Sequence, residues 1–272
     1  MTTGPLSVPF ARLDPAQLAV ARELVAFGRE LASEGAVQSG TAFTDIGPAD
    51  ELIRSSPEAF LLGVLFTQGI PAERAWAGPY LLRERLGHLD LRRLAAEPEA
   101  VDEALGRKPA LHRFRHTLPR WISAAAARLI EEYGGDASRI WAPGSTVTEV
   151  GDRLSGFQGI GRKKAAMAVE LLGSAFGVEL RGTECGTVAY DVQVRRVFLR
   201  SGLVERDTPA DVARAASLAC PEAPGSLDLA TWLVGRETCR PRRPACDECR
   251  LGRVCPRHVW LTPEGVGVRG KH

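Results

Sequence analysis

The stretch LSGFQGIGRKKAAMAVELL, Leu154 to Leu172, decides how the rest of the chain is read. Just upstream, Thr146 with Glu149 three residues later has the form of a capping box. Val147, Val150 and Leu154 follow at helical spacing, and Gly156 stops the run. A second helix is expected after Gly161, with Ala165, Ala168, Val169 and Leu172 as its apolar face, so its first turn carries Arg162, Lys163 and Lys164. Cations are misplaced there, because the helix dipole is positive at that end and each costs about 0.3–1 kcal/mol. An arriving anion would remove the penalty, and Gly159 and Gly161 would let its oxygens reach bare backbone N–H groups. Two apolar-faced helices around a G-x-G turn, followed by three basic residues, read as a helix-hairpin-helix that grips the DNA backbone independently of sequence.

Composition supports that partner. The formal net charge of +2 hides a split: residues 1–106 carry 9 Lys/Arg against 15 Asp/Glu, and residues 107–272 carry 26 against 18. The basic excess lies in the part that holds the hairpin, which suits a polyanion. With 272 residues and 44% hydrophobic content the chain can build a real core as one large or two modest domains, and strand signals are sparse. The first ten residues, MTTGPLSVPF, lack the form of a targeting segment, and the longest apolar run, Ala59 to Phe66, is too short to span a bilayer.

Outward from the hairpin, Pro15 to Ser33 is an amphipathic helix with Leu18, Ala21, Leu24 and Val25 on one face, and Glu34 to Asp50 reads as a connection. In SSPEAFLLGVLFTQGIPAERAW, Ser56 can cap and Pro57 suits a first turn. The all-round apolar run to Phe66 predicts a helix buried on every side, ending in the polar tip Thr67-Gln68-Gly69. Further short helices are expected over Arg74 to Leu86 and Leu89 to Leu105, and a strong one over Trp121 to Tyr133. Between them RKPALHRFRHTLPR, Arg107 to Arg120, has five Lys/Arg, two His, one Phe and no acid. Such a segment can hold phosphates while a ring wedges between bases, or it can be a solvated loop anchored by Phe114. Asp191 precedes a helix from Val192 to Arg200 and is placed to cap it.

Cys239, Cys246, Cys249 and Cys255 form C-x6-C-x2-C-x5-C, four thiols within seventeen residues that also include Pro241 and Pro244. Such a set can surround one tetrahedral zinc or a cubane iron–sulfur cluster, and a disulfide pair is the weaker third reading. A metal site in turn implies a reducing cytoplasm or nucleoid. Arg240, Arg242 and Arg243 would project from the metal-held loop toward DNA phosphates. Cys185 and Cys220 stand apart and read as ordinary small apolar residues.

Together these residues resemble endonuclease III, of the HhH-GPD superfamily of base-excision DNA glycosylases, over roughly Ser55 to Arg257. LSGFQGIGRKKA is similar to that family's L-P-G-V-G-R-K-T-A, and WLVGRETCRPRRPACDECRLGRVC to its W-L-x-x-G-R-x-x-C cluster segment. The resemblance implies a [4Fe-4S] cluster on Cys239, Cys246, Cys249 and Cys255, a lysine nucleophile at Lys163 and an aspartate at Asp191. Gln68 falls on the glutamine that looks into the gap left by an extruded base, and His112 to His116 map onto a second intercalating loop with Phe114 as wedge. Gly159, Gly161, Arg162 and Lys164 would meet the DNA backbone.

The implied fold is all-α with two domains: a six-helix domain over 51–176 containing the helix-hairpin-helix, and a cluster domain from 1–50 plus 177–272. The implied activity is a glycosylase with AP-lyase action on oxidised or damaged pyrimidines in double-stranded DNA, carried out by a monomer in the cytoplasm, on the nucleoid. A monofunctional glycosylase that uses Asp191 to activate water, and a non-catalytic binder of damaged DNA, are the other readings. The chain departs from the family pattern at Phe66-Thr67-Gln68-Gly69-Ile70-Pro71, at Tyr190-Asp191-Val192-Gln193, and in the additional residues Arg181 to Thr187.

Overall fold

A computed structural model of the chain describes residues 12–33, 43–262 and 265–266. Its helices in chain order are α1 (Pro15–Ser33), α2 (Gly47–Ser55), α3 (Pro57–Phe66), α4 (Ala72–Leu86), α5 (Leu91–Ala96), α6 (Pro98–Gly106), α7 (Leu118–Tyr133), α8 (Val147–Ser155), α9 (Arg162–Ser174), α10 (Val192–Arg200), α11 (Pro209–Ala219) and α12 (Leu227–Glu237). A two-residue hairpin, β1 (Leu261–Thr262) with β2 (Gly265–Val266), is the one departure from an all-helical architecture among the described residues. No described helix is long and apolar enough to cross a membrane.

Two compact units emerge. One comprises residues 31–189, and the other residues 1–30 together with 190–272. The first thus extends past both ends of the expected 51–176 segment. Phe43 lies tilted against Trp76 at 5.1 Å and stacks on Phe176 at 5.9 Å, while Val178 and Leu180 pack on the same core, so both flanks are held by apolar contacts. It also holds more than six helices, because Pro98 starts α6 immediately after α5 and Gly47-Pro48 starts α2 inside the expected connection. The part of that connection over residues 34–42 lies outside the described residues.

At the centre of this unit is α3, in which every residue from Ala59 to Phe66 is buried. Its start follows the sequence: Ser56 Oγ accepts from Ala59 N at 3.1 Å, and Pro57 occupies a position where no intrahelical donor is needed. Side chains as large as Phe60, Leu61, Leu62 and Phe66, removed from water, each contribute about 1.5–3 kcal/mol relative to exposure. Helices α2, α4 and α7 pack against it, and the α8–α9 pair contributes to the same core.

In the other unit α1 lies against the 202–203 and 222–226 turns. Gln17 Nε2 donates to the carbonyls of Gly202 and Leu203 at 3.2 and 3.3 Å, and Arg29 meets Glu222 at 3.4 Å. The N-terminal helix therefore belongs with the cysteine-bearing end of the chain, although about 160 residues separate them in sequence.

The hairpin's first helix has its capping box fully formed. Thr146 Oγ1 accepts from Glu149 N at 3.2 Å, and Glu149 Oε2 accepts from Thr146 N at 2.7 Å, which holds that carboxyl below the ordinary range. Thr146→Ala should lower stability by about 1 kcal/mol, read from the shift of the urea unfolding midpoint at unchanged slope.

Candidate functional site

Between α8 and α9 the chain turns tightly. Phe157 N donates to Leu154 O and Ile160 N to Phe157 O, both at 3.0 Å, and the two apolar side chains are buried beneath the turn. Gly159 has φ +87°, and a Cβ there would stand 2.4 Å from the Trp121 ring. Any side chain is thus excluded both by conformation and by space. Gly161 is the N-cap of α9 and supplies no side-chain acceptor, so the first-turn amides rely on solvent or a ligand. Gly161, Arg162 and Lys163 are all exposed at this end.

Lys164 behaves differently. Its Nζ donates to the Leu65 carbonyl at 2.9 Å and lies 5.7 Å from the centroid of the Trp121 ring. Leu65 is in the last turn of α3, where the helix dipole is negative, so a cation ill-placed on α9 is well placed against α3. Burial pushes the amine from 10.5 down to about 8. Lys164, expected at a DNA phosphate, is half-buried and makes these contacts within the protein.

Neighbouring carbonyls at the same helix end are also partnered. Thr67 Oγ1 donates to Val64 O at 2.7 Å, and His112 Nε2 donates to Phe66 O at 3.2 Å. His112 Nδ1 accepts from Phe114 N at 3.0 Å, so the ring is the neutral tautomer with hydrogen on Nε2, and burial lowers its pKa accordingly. Only 1% of His112 is exposed, which corrects its expected place among DNA contacts; it is a pin between two loops. Those loops touch, since Gly69 lies under the Phe114 ring and Arg113 reaches the Gly69 carbonyl at 3.4 Å. Gln68 and Phe114 are half-buried side by side with this contact, whereas His116 is exposed and 3.7 Å from Asp102.

Asp191 belongs to the other unit. It caps α10, with Oδ1 accepting from Gln193 N at 2.7 Å and Val194 N at 2.9 Å, so the aspartate has the capping role read from its position. On the same unit Cys239, Cys246, Cys249 and Cys255 line one pocket with Val197 and Leu251, and all four thiols are unbridged. Among the described residues no three Cys, His, Asp or Glu side chains are gathered as the ligands of a single ion would be. Gly252 is needed at the pocket wall, because a Cβ there would stand 2.4 Å from the Cys246 carbonyl and 2.9 Å from that of Cys249. Sulfur is served by donors: Arg257 N to Cys255 Sγ at 3.3 Å, and Arg200 Nη1 to Cys239 Sγ at 3.8 Å. Burial pushes the Cys239 and Cys255 thiols up. Arg240, Arg242 and Arg243 are exposed on the loop above.

Sequence reasoning missed three supports of this arrangement. Trp121 is both the floor under Gly159 and the ring beneath Lys164. Arg196 and Arg200, on α10, are 3% and 2% exposed and hold the cysteine loop by its backbone. Arg196 donates to Cys239 O at 2.7 Å and Gly235 O at 2.8 Å, and Arg200 to Arg240 O at 2.7 Å and Pro241 O at 2.8 Å. Their i, i+4 spacing on a helix whose other buried residues are apolar was the available signal.

No family model matches the chain. It is 28% identical over 137 residues to endonuclease III of Synechocystis, which covers 50% of this chain and 53% of that protein. The chain spans about half the length of the curated relatives it matches. Among solved structures, a trapped endonuclease III–DNA covalent intermediate matches with TM-score 0.60 and 21% identity over 87% of this chain and 96% of that one. A thermostable thymine-DNA glycosylase matches with TM-score 0.58 and 14% identity over 89% and 96%. The fold is thus that of the HhH-GPD glycosylases. In sequence the chain is similar to endonuclease III over about half its length, and in fold over most of it.

The Lys164 environment makes stability pH-dependent. Its folded pKa lies below the unfolded one, so between about 8 and 10.5 the unfolded chain holds the additional proton and raising the pH favours the fold. Wild type should gain stability over Lys164→Met across that interval and show a constant difference below it, as read from urea titrations at stepped pH.

Proposed function

We propose that the protein is a base-excision DNA glycosylase with AP-lyase activity, acting as a cytoplasmic, nucleoid-associated monomer on oxidised or ring-damaged pyrimidines in double-stranded DNA. The observation that carries this reading is Lys163: an exposed amine in the first turn of α9, beside a glycine turn, in an endonuclease III-like fold. First-turn amides with no side-chain cap, flanked by Gly159, Gly161 and Arg162, suit a DNA phosphate. Gln68 and Phe114, on loops held against each other, are assigned to the gap left by an extruded base and to the wedge, with His116 at the exposed end of the same segment.

The chemistry is that of the residue types. Uncharged Lys163 Nζ bonds to the sugar C1′ as the bond from C1′ to the base breaks, and the base departs with a proton. The nitrogen then gives up one of its two hydrogens as the C1′–O4′ bond breaks and O4′ takes a proton, which leaves a protonated imine. That imine acidifies C2′, and loss of a C2′ proton expels the 3′ phosphate. Water returns the lysine. Asp191 is assigned to take up the amine's proton and to balance the positive sugar.

Cys239, Cys246, Cys249 and Cys255 are assigned a [4Fe-4S] cluster. Four unbridged thiols around one pocket, with N–H donors to sulfur and a wall that admits only glycine at 252, fit such a group. When bound it supplies thiolate-linked rigidity and a tunable charge. The chain's own part is to present Arg240, Arg242 and Arg243 on the loop it ties down.

Borohydride should trap wild type on a duplex containing a damaged pyrimidine or an abasic site, giving a covalent adduct that Lys163→Gln does not form. A lesion panel, with and without hot alkali, separates base release from strand scission: release without trapping or nicking would replace this reading with a monofunctional one, and binding without release would make the protein a sensor. Cys249→Ser should lower iron and acid-labile sulfide together with the visible absorbance of the purified protein, whereas zinc in place of iron would overturn the cluster assignment.

A further inference from the structure

The carboxyl end of α3 is where three separate segments meet. Its Val64, Leu65 and Phe66 carbonyls accept from Thr67 Oγ1, Lys164 Nζ and His112 Nε2 at 2.7, 2.9 and 3.2 Å. The chain leaving that end carries Gln68, the chain around His112 carries Phe114, and the turn of α9 that carries Lys164 also carries Lys163. We infer that Lys164 is a positioning residue, whose ammonium, locked between the Leu65 carbonyl and the Trp121 ring, fixes the first turn of α9 in register with the Gln68 and Phe114 loops.

Three observations converge on this role. Lys164 spans 99 residues of sequence to reach a backbone acceptor, and a carbonyl of a fully buried helix cannot shift to follow it. Trp121 bounds both the ammonium and Gly159, so the same ring sets the height of the turn and the direction of the lysine stem. His112 and Arg74 are the ionisable neighbours that face this corner: His112 feels the Lys164 charge, and both cations help to keep it neutral. The arrangement is built around one ammonium, and a displacement of about 1 Å in a reacting group can cost about 100-fold in rate.

The inference rests on the lyase reading, and one experiment separates the two. Single-turnover trapping on an abasic-site duplex is measured with full-length wild type, Lys164→Met and Lys164→Gln, over a range of protein and salt concentrations. The expected result is a rate at saturating protein lowered at least 10-fold in the Met variant and less in Gln, which keeps a donor for Leu65. Duplex affinity and its salt dependence should stay within threefold of wild type. Combining Lys164→Met with Gln68→Ala should give less than the product of the single effects, because both act on one register. Weaker binding with a shallower salt slope and an unchanged saturating rate would make Lys164 a phosphate contact and overturn the inference alone. Unchanged rate and affinity would overturn it too. Absence of any adduct from wild type would overturn the lyase reading and this inference with it. If the Met variant does not fold, the Gln variant decides by the same criteria.

Discussion

A helix that is buried on every side still ends in carbonyls that need donors, and the last turn of α3 has to find them inside the protein. Each unmet acceptor in such a place costs about 1–3 kcal/mol. Val64 O and Phe66 O also take the Thr67 and Gln68 amides, and the side-chain donors come from a threonine three residues on, a histidine 46 residues on and a lysine 99 residues on. Satisfying one local requirement therefore draws two distant segments to the chain that leaves α3. The polar tip Thr67-Gln68-Gly69, the basic segment around Phe114 and the glycine turn with its cations become neighbours as a consequence of backbone accounting.

The other unit solves a related problem by different means. Its cysteine loop is short in regular structure, and its carbonyls are taken by two guanidiniums projecting from α10. Arg196 also contacts Gln193 on its own helix. Planar five-donor side chains suit this task, since one residue can close several carbonyls at fixed angles. The helix that supplies them is capped by Asp191, so the same short element begins with a carboxylate and ends among thiols.

Much of this is legible in the residues. The capping box at Thr146, the glycine turn, the cap at Asp191, the buried run from Ala59 and the four-cysteine spacing all depend on local pattern, and the structure shows the corresponding local geometry. Partners set by tertiary packing are not legible in this way. Nothing around Lys164 in sequence distinguishes it from Arg162 and Lys163; only the position of Leu65 does. His112 reads as one more polar residue in a basic segment, yet it is buried because its two ring nitrogens match two backbone groups. The edges of the first unit escape a sequence reading for the same reason: Phe43 and Phe176 lie in weakly patterned segments, and only the aromatic cluster with Phe60 and Trp76 reveals where they belong.

Arg181, the first of the residues additional to the family pattern, is tied down at three points. Its backbone pairs with the strand-like entry to α8, Arg181 N to Ser145 O at 3.0 Å and Val147 N to Arg181 O at 2.9 Å, while its side chain reaches the Gly144 carbonyl at 2.7 Å. The additional residues thus begin from a stub stapled beside the hairpin. Past that stub the chain makes a single tight turn over Thr183 to Cys185, closed by Cys185 N to Gly182 O and Gly186 N to Thr183 O, both at 2.9 Å, so the departure from the anchorage is itself ordered.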